Sequence, residues 1–308
     1  MSRTAETRYM GGQAVLEGVM MRGVTTYAVA ARRPDGEIEL IVRDVPGWAE
    51  KYRHIPIVRG VMGLGESLGL GGKALAWSAN RQIPEDEQIS DRAMGWTMAI
   101  SMVVFSGLFL VLPAVAGKGI GNWFDFLPFQ IAEAVIRIVF FVGYLLLIGR
   151  MRDIRRVFQY HGAEHKTIAA YENGVELTPE TAQQFTTAHV RCGTNFLLTV
   201  MVIAIIVYSM VPTPSWWSII TSRIVLIPVI AGLGYEVIRY AAKRMDRGWV
   251  RVAMRPGLLL QRLTTREPDL DQLEVAIVSL RAVMSAEQLA EVDARRGVTV
   301  PQAMLRTA

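Results

Sequence analysis

Cysteine is nearly absent from this chain of 308 residues: Cys192 stands alone. That excludes a disulfide framework, a multi-cysteine zinc finger and an iron–sulfur centre. Histidine is scarce as well, with four residues, so their positions carry information. Charged residues make up 20%, below the ~25% usual for soluble domains. Hydrophobic residues fill the deficit at 51%, and the mean hydropathy is +0.28. Disordered, collagen-like and acidic-tail classes do not fit that balance. A phosphate loop is missing too. Around Gly72-Lys73, Ser67 occupies the first glycine position of G-x-x-x-x-G-K-[ST], and Ala74 occupies the Ser/Thr position.

What the chain has instead is long apolar runs. Residues 94–117, 129–149, 195–211 and 217–241 approach or exceed the ~20 predominantly apolar residues that span a bilayer. Buried core helices of a soluble enzyme seldom run past ~14 such residues. The pattern predicts a mainly α polytopic membrane protein with four transmembrane helices. The net charge of +5 then becomes a topology signal. Lys and Arg number twelve in residues 1–93, six in 150–194 and eleven in 242–308. Only one falls in 118–128 and none in 212–216. Positively charged connections stay cytoplasmic, so both termini and the 150–194 connection are expected inside. The short outer connections make two antiparallel hairpins, with Trp123, Phe124, Phe126, Trp216 and Trp217 expected at the outer interface. Nucleic acid is not an expected partner, because no basic run carries interleaved aromatics outside the helix ends. Residues 1–10 are polar and lack the apolar core of a secretory leader, so none is expected.

The cytoplasmic parts form a small α+β portion. Residues 1–53 are a β-rich N-terminal segment, 54–93 a glycine-rich segment and linker, and 150–194 the connection between transmembrane hairpins 94–149 and 195–241. Residues 242–308 are a helical tail. Residues 26–45 alternate in character around Arg33-Pro34-Asp35-Gly36, which predicts a β-hairpin. Residues 11–23 are punctuated by glycine and predict strand and turn. Residues 54–80 hold six glycines and are too soft for a spanning helix, so an interfacial or re-entrant helix is expected. In the tail, an amphipathic helix starts at Leu270 after Pro268-Asp269, and Ser285 with Gln288 forms a capping box for another.

Three of the four histidines and the single cysteine fall within the 150–194 connection, in Y-H-G-A-E-H-K and H-V-R-C-G-T-N-F. His161 and His165 stand at i and i+4, which a helix places on one face. His189 and Cys192 stand at i and i+3. Zinc accepts imidazole nitrogen and thiolate sulfur in tetrahedral geometry, so these four are candidate ligands. Two functions follow from the same pattern. H-x-x-E-H orders Glu164 beside two histidine ligands, as in inverzincin peptidases, where the glutamate acts as general base on water. Alternatively all four residues ligate, and a closed structural zinc serves a non-enzymatic scaffold or assembly factor for other membrane proteins. Glu133 and Arg137, at i and i+4 within an apolar run, read as an ion pair facing the bundle rather than a transport path. Glu17 and Arg22 are either partners of the metal ligands or ordinary hairpin charges.

With these residues in view, the chain resembles the YqhQ-like family of bacterial integral membrane proteins. The resemblance rests on G-G-Q-A-V-L-E-G-V-M-M-R at 11–22, Y-H-G-A-E-H-K at 160–166, H-V-R-C-G-T-N-F at 189–196 and P-G-L-L-L-Q-R-L-T-T-R-E-P at 256–268. It implies a multi-pass protein of the bacterial inner membrane, of a kind described as predicted metal-dependent enzymes. Val190 departs from the family's usual proline and leaves both neighbouring candidate ligands in place.

Overall fold

A computed structural model describes residues 10–123, 129–189, 192–212 and 215–300. Four strands open the chain: β1 (Gly11–Val15), β2 (Gly18–Arg22), β3 (Thr26–Arg32) and β4 (Ile38–Asp44). They pair as an antiparallel meander in sequence order, with Gly11 opposite Arg22, Gly18 opposite Ala31 and Thr26 opposite Asp44. The β3–β4 turn closes at Arg33–Gly36, where Gly36 supplies a φ of +93° and its N–H donates to the Arg33 carbonyl at 2.9 Å. The expected hairpin is therefore the second half of a larger sheet.

Both faces of that sheet are covered. Val15, Met20, Tyr27 and Val29 pack on Leu70 and Ala74 of α1 (Val58–Asn80), a single continuous helix through the glycine-rich segment. Val19, Met21, Ala28 and Ala30 face α5 (Arg152–Glu172) and α11 (Leu270–Ala282). Ser279 Oγ on α11 donates to the Ala28 carbonyl at 3.1 Å. The tail thus returns across the length of the chain to close the sheet with its apolar side.

The apolar runs all become helices: α2 (Asp91–Ser106), continued through a π-turn at Gly107–Val111 into α3 (Leu112–Trp123), then α4 (Phe129–Ile148), α7 (Gly193–Ser209), α8 (Trp216–Val225) and α9 (Ile227–Ala242). By length and composition two helices suffice to cross a membrane, Arg92–Gly119 and Phe129–Ile148. A third follows if α8 and α9 count as one span, bent by 44°. The bend falls where Pro228 removes a backbone donor. At 17 residues, α7 is about 25 Å long, short of the ~30 Å hydrocarbon core. Trp96, Val103, Val139 and Leu147 stand exposed on α2 and α4, an apolar surface that suits lipid rather than water. Phe124 and Phe126, expected at the outer interface, lie outside the described residues, as does the side chain of Trp123. Trp216 and Trp217 are exposed at the start of α8.

Glu133 and Arg137 pair on α4, with Arg137 Nη2 2.5 Å from Glu133 Oε1. A third member joins from α8: Arg223 donates to both carboxylate oxygens, its Nε at 3.1 Å. All three are buried, at 3, 5 and 1% exposure for Glu133, Arg137 and Arg223. The Tyr208 ring lies against both guanidinium groups, and its hydroxyl donates to the Arg223 carbonyl at 3.0 Å. One carboxylate therefore ties α4 to α8 among apolar helices.

Candidate metal centre

The centre grows out of α5, which is buried around its circumference from Tyr160 through Tyr171 except at His161 and Ala169. The i, i+4 spacing brings the His161 and His165 rings edge to face, with centroids 4.5 Å apart. Cys192 arrives from the head of α7, where it caps the helix and its Sγ accepts from Thr194 N–H at 3.4 Å. Sulfur stands 3.2 Å from His161 Nε2, and one donor atom from each of His161, His165 and Cys192 lies within 4.8 Å of the others. Tetrahedral zinc with its usual bond lengths spaces such donors by about 3.5 Å.

Hydrogen bonds set the direction of both imidazoles. His161 Nδ1 donates to the Thr264 carbonyl at 2.8 Å, and His165 Nδ1 donates to the Thr187 carbonyl at 2.5 Å. A carbonyl only accepts, so Nδ1 carries a proton in each ring, and in the neutral imidazole this leaves the Nε2 lone pair for a ligand. Oriented imidazoles of this kind are what metal-binding histidines require. These residues form a buried His–His–Cys cluster able to coordinate a metal.

Glu164 lies beside the cluster, 5% exposed, with one carboxylate oxygen 3.5 Å from His165 Nε2. Among the described residues His165 is its polar partner. Gly12 of β1 lies against the same side chain: a Cβ there would come 3.0 Å from Glu164 Cγ. His189 stands next to the cluster rather than in the three-donor set. Its ring is 5.6 Å from that of His165, its Nε2 is 3.5 Å from a Glu172 oxygen, and Gln261 holds its backbone by two bonds of 2.8 Å. Val190 lies outside the described residues.

Glu17 and Arg22 resolve into structural roles. Arg22 pairs with buried Glu66 on α1. Glu17 accepts from Arg156 Nε and Nη2 and from the Tyr160 hydroxyl on α5, which docks the β1–β2 turn on the residues just before His161. Burial, then the Glu17 carboxylate, push the Tyr160 phenol above its ordinary range, so it stays a donor.

Residues 264–268, at the end of α10 (Gly248–Thr264), bracket α5, a function the sequence does not announce. Arg266 N–H donates to the Phe158 carbonyl at 2.9 Å, and buried Lys166 holds Glu267 at 2.5 Å and the Gln183 carbonyl at 2.7 Å. The approach is so close that a Cβ on Gly162 would come 2.1 Å from the Arg266 carbonyl oxygen. Gly162→Ala is expected to cost about 1–3 kcal/mol. It should also weaken metal retention by displacing Thr264, as measured by thermal unfolding and metal content of the purified variant. Unchanged values for both would mean that the bracket yields freely.

A helical chain with membrane-length apolar helices, a four-stranded meander and a His–His–Cys cluster defines the class of protein. The chain belongs to the family described as protein of unknown function (DUF1385), whose sequence model matches residues 55–286. It is 35% identical over 298 residues to the uncharacterized protein YqhQ of Bacillus subtilis (strain 168), covering 91% of this chain and 94% of that one. No solved structure matches it.

Proposed function

We propose that this chain is a multi-pass protein of the bacterial inner membrane, with four spanning segments and both termini cytoplasmic, that holds a zinc ion and hydrolyses a substrate presented at the membrane surface. The observation that carries this reading is the three-donor set: His161 Nε2, His165 Nε2 and Cys192 Sγ would hold the ion and leave a fourth position for substrate or water. When bound, zinc supplies Lewis-acid activation of water and of a carbonyl or phosphoryl oxygen. Glu164, beside that position and without a cationic partner among the described residues, takes the proton as general base. Thr264 and Thr187 keep both imidazoles in the ligating tautomer, and β1 closes the site over Glu164 at Gly12. The substrate is a lipid headgroup or the juxtamembrane part of another protein.

The second reading is a closed structural site in a scaffold or assembly factor, with His189 as fourth ligand. The 5.6 Å ring contact between His165 and His189 favours it.

Metal content separates the two. The wild-type protein, purified without chelators, is expected to carry about one zinc per chain. His161→Ala and Cys192→Ser should lose most of it, whereas His189→Ala should keep it. Loss of zinc in His189→Ala, with X-ray absorption showing four protein ligands in the wild type, would overturn the open site in favour of the scaffold. Wild-type protein free of stoichiometric metal would overturn both readings.

A further inference from the structure

Helix α10 holds the His–His–Cys cluster on one side and leaves the other side open. Its inner stripe of Val250, Met254, Gly257, Gln261 and Thr264 is buried, and the last two residues hold His189 and His161 in place. The outer side divides into two lines. Trp249, Val252 and Leu259, at i, i+3 and i+10, fall on one line of a helix with 3.6 residues per turn. They are 59, 59 and 56% exposed. Arg251, Arg255 and Arg262, at i, i+4 and i+11, fall on a second line beside it and are exposed. Among the described residues none of these arginines pairs with a carboxylate. Residues 239–262 hold seven basic side chains and one acidic one, Asp246.

Position adds to composition. Residues 243–247 alone separate α10 from α9, the second half of the bent candidate span. Across that turn Tyr240 stands 6.2 Å from the Trp249 ring, and the Arg244 guanidinium lies 4.1 Å over Tyr240. This continues the aromatic and cationic character of α10 to the end of the apolar helix. An apolar line flanked by a cationic one, beginning where an apolar helix ends, complements an anionic bilayer surface. The rings and aliphatic chains enter the acyl boundary while guanidinium groups meet headgroup phosphates.

We propose that α10 is an in-plane membrane helix that binds anionic phospholipid headgroups through Arg251, Arg255 and Arg262, with Trp249, Val252 and Leu259 seated in the acyl boundary. The cluster on its other side then lies about one helix diameter, roughly 10 Å, from the headgroups.

The test uses the full-length protein in nanodiscs of phosphatidylcholine alone and of an equal mixture with phosphatidylglycerol. Lipid that stays bound on transfer to mild detergent is counted by mass spectrometry, and backbone amide exchange is followed across residues 248–263. With three arginines facing the headgroups, phosphatidylglycerol should be retained over phosphatidylcholine by at least about tenfold, and the helix should exchange more slowly in the mixture. Arg251→Gln, Arg255→Gln and Arg262→Gln combined should bring the ratio close to one, while Arg33→Gln with Arg43→Gln on the sheet leaves it at the wild-type value. Raising salt should lower the wild-type ratio, a measurement that needs no variant. A ratio near one in the wild type, or insensitive to salt, would overturn the proposal, as would equal loss in both variants. So would co-purification of RNA that the triple variant loses while its lipid content stays the same. None of these readouts needs a bound metal, so they stand apart from the metal-site reading.

Discussion

Glu164→Gln is expected to lower turnover by about 10²–10⁴-fold, the usual contribution of a positioned general base, while fold and bound metal stay at wild-type levels. The substitution is nearly isosteric, so the contact with Gly12 and the packing of α5 persist. What goes is the basicity of an oxygen 3.5 Å from His165 Nε2. Glutamine also lacks negative charge, so a buried position without a cationic partner should, if anything, be more stable. The measurements are thermal unfolding, zinc content, and product release from a panel of headgroup esters and juxtamembrane peptides in nanodiscs, with complementation of a deletion strain alongside. A folded, zinc-loaded variant that complements fully would remove Glu164 from the chemistry. A folded variant that loses its zinc would make Glu164 a ligand instead.

Glu133→Gln carries the largest expected effect on stability. Removing the carboxylate leaves Arg137 and Arg223 buried among apolar helices without their counter-ion. Breaking a buried pair from one side typically costs about 3–5 kcal/mol, because the remaining charge keeps its desolvation penalty. Two arginines share this one glutamate, so the upper part of that range is expected, read as a lowered unfolding midpoint in detergent. Adding Arg223→Leu should recover part of the loss, since it removes one orphaned charge and supplies apolar volume. A variant at wild-type stability would mean that water or lipid phosphate compensates the arginines.

The His–His–Cys cluster was legible in part because its members are close in sequence. A helix repeat alone puts His161 and His165 on one face, and Cys192 follows within the same connection. Spacing gives proximity of backbones, though, not direction of rings. His189 shares the connection, yet its imidazole faces Glu172 because Gln261 clamps its backbone. Thr264 and Thr187 left no signal, since both act through main-chain carbonyls that any residue would supply. Arg223 was equally silent as the partner of Glu133, which lies 90 residues earlier. Strand β2 shows in the sequence through glycine punctuation rather than through alternation. Covered on both faces, Gly-Val-Met-Met-Arg shows none of the alternation that marks a half-exposed strand.

Composition and local pattern by themselves determined the apolar helices, the β3–β4 turn, the amphipathic tail and a histidine pair aimed from one helix face. These follow from period, turn chemistry and hydrophobicity, which act over a few residues. Only the tertiary structure decided which three donors meet, that Arg223 joins Glu133, and that residues 264–268 bracket α5. Those outcomes depend on contacts between segments some 100 residues apart, such as Thr264 with His161 and Gly162 with Arg266. Their geometry is fixed by packing rather than by any residue's own preference.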